Sequence, residues 1–193
     1  MKKIMFNDQD GLTQAVLEGR KTQTRRIAYQ EPFKFYCNCG FCTEGKDKGK
    51  LFINDGNEIV AKSTYKIGEV VAVAQRYCDI PFANDIFIRE VPIGWSNKMF
   101  VKSDLMPHQI IITNIRCERL QDISTDDCLK EGIYCSHIEG IDDAYSYDAT
   151  NDRFKPKRWY RTPIEAYKML SCKLHLHWDA DPLVFVYDFK LVK

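Results

Sequence analysis

The run QIIITNIRCERL, Gln109 to Leu120, is the clearest long strand in the chain and constrains the fold most. A second extended pattern closes the sequence. In PLVFVYDFKLV, Leu183, Phe185, Tyr187, Phe189 and Leu191 alternate, as in a half-buried strand. Shorter strands are expected at Lys2 to Phe6, at Thr22 to Ile27 and in the apolar run VVAVA that follows Lys66-Ile67-Gly68-Glu69. Helical signals are interspersed. Leu12, Ala15 and Val16 lie at helical spacing, with Asp8 or Asp10 as N-cap and Gly19 as stop. Ser124 caps a short helix with acidic residues in its first turn, Glu131 at its end and Gly132 beyond it. Thr162-Pro163 opens another, with Thr as N-cap and Pro at N1. Strands and helices mix without a regular βαβ rhythm, which predicts an α+β fold, a small barrel with flanking helices.

At 193 residues one core suffices, so a single domain over 1–193 is expected. Two stretches read as insertions. Residues 28–64 hold CNCGFC, GKDKGK and an inserted hairpin, LFINDGNEIVA, with Asp55-Gly56 as its turn. Residues 136–161 read as a polar loop, acidic first and basic later. Residues 78–108 are broken by Pro81, Pro92, Gly94 and Pro107. No apolar run approaches the roughly 20 residues of a membrane span, so no membrane partner is expected. The opening MKKIMFNDQDG has two lysines but no apolar stretch, so it does not read as a signal peptide, and the chain is placed in the cytoplasm. Its 8 cysteines then read as mostly reduced thiols.

Net charge is only +1, but it is unevenly spread. Residues 1–66 carry +4, residues 118–152 carry −8 and residues 153–193 carry +5. A protein that coats nucleic acid non-specifically is basic overall, so any such contact here is local.

The densest cationic motif is Gly19 to Arg26, GRKTQTRR, with four cations and two hydroxyls in eight residues. In the plain reading, Arg20 and Lys21 complement a helix C-terminus while Arg25 and Arg26 line a solvated strand face. In the functional reading, Arg20, Thr22, Arg25 and Arg26 form an anion or nucleobase pocket. Crowding among arginines would also lower the pKa of Lys21, which suits a catalytic lysine.

FNDQDGLTQAVLEGRKTQTRRI resembles the opening signature of the ASCH-domain family, a branch of the PUA-like fold. YKIGEVVAV, MPHQIIITNIRCERLQDISTDDCLKEGI and WDADPLVFVYDFKLV resemble later family segments in the same order, over about two-thirds of the chain. The chain is most similar to the longer, phage- and prophage-like members. The resemblance implies a PUA-like small β-barrel with flanking helices around a cleft, and an RNA or nucleotide-like partner. One branch is similar to acetylcytidine amidohydrolases, in which a Lys and a Thr of the GRKTxT motif and a Glu ending the short helix are the catalytic set. The matching positions are Lys21, Thr24 and Glu131. In that chemistry Thr24 is the nucleophile, Lys21 its base, and Glu131 transfers or orients a proton. The ordinary alternative for Glu131 is a solvated helix residue. The chain departs from the family at 72–77, where Ala74 and Gln75 replace an Arg-Glu pair; Arg76, two residues on, would share the face of Ala74 in a strand and is expected as a further ligand-binding residue.

Three features remain. Cys37, Cys39 and Cys42 offer three thiols, but zinc needs a fourth ligand, Cys78 or a histidine, and only Cys39 and Cys42 have paired spacing. They read as a loop of reduced thiols; no metal and no cofactor is expected. RFKPKRWYR, 153–161, mixes five cations with Phe154, Trp159 and Tyr160 and is either a base-stacking segment or a solvated loop. His175 and His177 read as structural. Three functions stay open: RNA or modified-nucleoside binding at GRKTQTRR, amide hydrolysis on an acylated nucleoside through Lys21, Thr24 and Glu131, and a protein-interaction module of a mobile element using the acidic 118–152 region. Nothing in the sequence sets an oligomeric state.

Overall fold

The computed structural model describes residues 1–29, 40–42, 49–53, 58–81, 83–86, 90–137, 145–148 and 159–192. The two long runs form β7 (Gln109–Arg119) and β11 (Leu183–Leu191), which pair antiparallel from Leu183 opposite Arg119 to Leu191 opposite Ile110. Around them the sheet order is β1-β6-β7-β11-β2, with β1 (Lys2–Ile4), β2 (Gln23–Tyr29) and β6 (Val70–Val73). Only the β1–β6 pair in this sheet is parallel. The remaining elements are α1 (Leu12–Leu17), α2 (Ala83–Ile86), α3 (Thr125–Lys130) and α4 (Pro163–Lys173), with two three-stranded sheets. One sheet joins β3 (Gly40–Phe41), β4 (Lys50–Ile53) and β5 (Glu58–Lys62); the other joins β8 (Tyr134–His137), β9 (Tyr145–Asp148) and β10 (Trp159–Tyr160).

The architecture is α+β. Backbone pairing among the described residues does not close a barrel: β1 and β2 are the two edges of the main sheet. A side chain links those edges, because Arg26 of β2 donates to the carbonyl of Met5, just past β1, at 2.6 Å. The inserted hairpin is present as the antiparallel β4–β5 pair; its Asp55-Gly56 turn lies outside the described residues.

The closing strand is not half-buried, as its alternation predicts. Leu183 to Tyr187 and Phe189 are all buried. Both faces are covered. On one, Phe185 meets Phe41 at 5.7 Å and Tyr187 meets Tyr65 edge-on at 5.2 Å. On the other, Arg25, the register partner of Val186, has its guanidinium 5.8 Å from the ring centre of Tyr167 in α4. Leu12 and Val16 of α1 and Leu170 of α4 join the same core.

Several local signals act as expected. The Ser124 hydroxyl accepts from the Asp127 amide at 3.2 Å, and Thr162 forms a reciprocal capping box with Glu165. Gly19 and Gly132 take the left-handed backbone that ends a helix, at φ +74° and +102°. The start of α1 differs. Its N-cap position is Gly11, not Asp8 or Asp10; the Asp8 carboxylate instead accepts from the Thr13 hydroxyl at 2.5 Å. The 136–161 stretch, expected to be loop throughout, contributes to the β8-β9-β10 sheet. No helix among the described residues is long and apolar enough to cross a membrane.

Candidate functional site

Lys21 follows the Gly19 turn, and its amide donates to the Ala15 carbonyl at 2.9 Å. The Thr22 amide donates to the Lys130 carbonyl at 2.9 Å, which binds this stretch to the end of α3. The turn there needs a glycine: Gly132, which packs against Lys21, has φ +102°, a conformation that side chains rarely adopt. Lys21 and Glu131, about 110 residues apart, therefore meet inside the protein. The Lys21 Nζ donates to the Glu131 carboxylate at 2.5 Å and to the Glu131 carbonyl at 2.7 Å. Their side chains are 1% and 2% exposed, so both charges are out of water.

Glu131 has a second cation. Arg25 Nη1 reaches its other carboxylate oxygen at 3.0 Å. Arg25 is also held by Glu118 at 2.6 Å, by Asp127 at 3.2 Å and by the Gln23 side-chain oxygen Oε1 at 2.6 Å. Arg116 extends the network to Asp127, to Glu118 at 2.9 Å and to Asp188 at 3.2 Å. Gln23, fully buried, donates to Asp188 at 2.6 Å and to Asp127 at 3.2 Å. Burial works against the Asp127 charge, but Arg116, Gln23, Lys130 and Arg25 outweigh it and hold the carboxyl below its ordinary value.

Lys21 is pulled the other way. Burial depresses its pKa, Glu131 opposes that shift, and Arg26 and Arg25 add to it. The direction matches the sequence expectation, but the leading cause is desolvation rather than crowding by arginines.

Lys21, Thr24 and Arg25 line a small cavity of about 60 Å³, walled further by Phe6, Leu12 and Leu176. By water-sized volume this is room for roughly four or five heavy atoms. Thr24 is buried in it; Glu131 is reached from the cavity through Lys21. Lys21 also sits 5.8 Å from the Phe6 ring centre.

The other expected ligand residues are dispersed or engaged. Arg20 pairs with Glu18 at 2.8 Å on the surface. Thr22 is half-buried, and its carbonyl accepts from the Phe189 amide at 2.8 Å. Arg26 borders the cavity while bound to Met5. Arg76 does not join them. It lies beyond β6, at the start of a 3-10 turn, pairs with Asp79 at 2.8 Å, and lines a separate cavity with Asp8, Thr13 and Gln75.

Cys37, Cys39 and residues 153–158 lie outside the described residues; Cys42 is a half-buried free thiol. No group of three His, Cys, Asp or Glu that could hold a metal ion occurs among the described residues. Gln23, Arg116, Glu118 and Asp127 were not anticipated as part of the cluster. Their only trace in the sequence is same-face spacing, Gln23 with Arg25 and Arg116 with Glu118, each two apart in a strand.

No family model matches the chain, and no curated protein or solved structure matches it significantly.

Proposed function

We propose that the chain is an ASCH-type, PUA-like protein that hydrolyses an amide on an acylated nucleoside. The observation that carries this is the buried Lys21–Glu131 contact at 2.5 Å, beneath a cavity that Thr24 also lines. The cavity has space for an acyl group and not for a nucleobase, so the acyl end enters and the base stays at the rim, beside Arg26. A lysine depressed by burial is a better proton acceptor at neutral pH than a solvated one. In the reaction the Thr24 hydroxyl oxygen attacks the amide carbon and its proton passes to neutral Lys21. The amine leaves with that proton, and water then hydrolyses the threonine ester to the free acid. Glu131 orients Lys21. The link of the two sheet edges through Arg26 supports a barrel-like closure.

A second reading is RNA or modified-nucleoside binding without turnover. It is favoured by the two bonds that Lys21 already gives to Glu131, one of them to the terminal carbonyl of α3, which is a structural capping role. Against a phosphate cleft, Arg20, Lys21 and Arg25 are each engaged by a carboxylate.

Incubation with N4-acetylcytidine, following release of cytidine, tests the proposal. Turnover is expected, with a loss of at least about a hundredfold in Thr24→Ala and partial retention in Thr24→Ser. No turnover by the wild-type protein across a panel of acylated nucleosides, with salt-sensitive RNA binding intact, establishes the second reading instead.

A further inference from the structure

The inserted sheet builds a cavity of its own. Between it and β7 lies a space of about 360 Å³, lined among the described residues by Phe41, Tyr65, Ile115, Lys50, Lys62 and Lys66, with Ser63 and Ile67 completing its wall. Its size is within the roughly 300–1,000 Å³ of small-molecule sites, whereas the cavity at Lys21 is far smaller. The lining has two characters. Phe41, Tyr65, Ile67 and Ile115 make an apolar, partly aromatic side; the three lysines make a cationic one, and no acidic residue lines it among the described residues.

Neither Lys62 nor Lys66 has a side-chain ion pair among the described residues, in contrast to Arg20, Lys21 and Arg25. The neighbouring carboxylate, Glu69, is taken by Lys2 at 3.0 Å and by the Lys66 amide at 2.9 Å. Lys2 in turn lies 5.8 Å from the Tyr65 ring centre. The apolar side is rigid. Phe41 packs on Phe185, Tyr65 packs edge-on against Tyr187, and the Ser63 hydroxyl donates to the Tyr65 carbonyl at 2.6 Å.

From this lining we infer that the inserted sheet and β7 form a second ligand site, separate from Lys21, for an organic phosphate with a flat ring system, the nucleoside monophosphate class. Lys62 and Lys66 take the phosphate as point charges, and the aromatic and aliphatic wall takes the ring. The inference does not rest on the amidohydrolase reading, since no residue is shared between the two cavities.

Calorimetric titration of the full chain with adenosine 5′-monophosphate, adenosine and inorganic phosphate tests it. The monophosphate is expected to bind, with adenosine and inorganic phosphate each weaker by about tenfold or more, because each engages half the lining. Binding should weaken with added salt. Lys62→Glu and Lys66→Glu, both exposed and checked for folding by circular dichroism, should each weaken it by about tenfold. Lys168→Glu, the same charge change on the surface of α4, should stay within about twofold. The inference is overturned if the monophosphate fails to bind at millimolar concentration, if adenosine binds as tightly, or if Lys62→Glu and Lys66→Glu behave like Lys168→Glu.

Discussion

Removing one member of the Lys21–Glu131 pair should cost very different amounts depending on which is removed. Glu131 has two cationic partners, Lys21 at 2.5 Å and Arg25 at 3.0 Å. Lys21 has one carboxylate partner, and its other hydrogen bond is to the Glu131 backbone carbonyl. Glu131→Gln strips Lys21 of its counter-ion at 1% exposure, forcing it to lose its proton or stay unpaired, and takes a carboxylate from Arg25, so the cost should be that of a broken buried pair, about 3–5 kcal/mol. Lys21→Met is close in volume and leaves Glu131 on Arg25, which Glu118 and Asp127 also hold in place. Its cost should be about 1–2 kcal/mol. The double variant removes both charges and should be less destabilised than Glu131→Gln alone, giving a coupling larger than the Lys21→Met cost, at least about 1 kcal/mol. Urea unfolding followed by circular dichroism measures this. With a slope of about 2 kcal/mol per molar, Glu131→Gln should move the midpoint down by about 1.5–2.5 M and Lys21→Met by under about 1 M. If Lys21→Met costs as much as Glu131→Gln, or the two costs simply add, Glu131 is not shared between the cations and the reasoning fails.

Two further outcomes follow from the same region. Tyr167 has a fully buried hydroxyl with no hydrogen-bond partner among the described residues, so Tyr167→Phe should leave stability unchanged or raise it by up to about 1 kcal/mol; a loss above that in urea unfolding means the hydroxyl has a partner, such as a bound water. The depressed pKa of Lys21 sets a pH dependence: between its folded value and the ordinary 10.5 the unfolded chain binds the extra proton, so stability from this group rises with pH in that window. The wild-type midpoint minus that of Lys21→Met should therefore grow from pH 8 toward 10.5, and a difference that shrinks refutes the shift.

Local signals in the sequence were legible where a single residue's chemistry decides the backbone. Ser124, Thr162-Pro163, Gly19 and Gly132 each stop or start a helix through their own hydrogen bonds or φ, and each is found doing so. What depends on distant partners was not legible. Thr24 lies opposite Tyr187, a pairing no local pattern encodes. β8, β9 and β10 are too short and polar for periodicity to register; pairing such as Cys135 with Tyr147 makes them strands. The departure of Arg76 from the site has the same origin. It was placed by assuming the strand continues, but β6 ends at Val73 and Arg76 turns to Asp79.

The charge pattern has a physical meaning that the chain order hides. The basic stretch at 1–66 and the acidic stretch at 118–152 each look like a surface for an external partner. In the fold they are partners to one another: Lys21 and Arg25 from the first meet Glu118, Asp127 and Glu131 from the second. Charge segregated in sequence is neutralised in space, which removes much of the cationic potential that a nucleic-acid cleft on GRKTQTRR would need, and much of the acidic surface that an interaction module would present. A buried, neutralised cluster is instead suited to setting the protonation of one group, and Lys21 is the member that reaches a cavity. Lys62 and Lys66, at the inserted sheet, have no carboxylate partner among the described residues. External anions should therefore be sought at the inserted sheet, and proton-transfer chemistry at the motif whose charges the fold has already balanced.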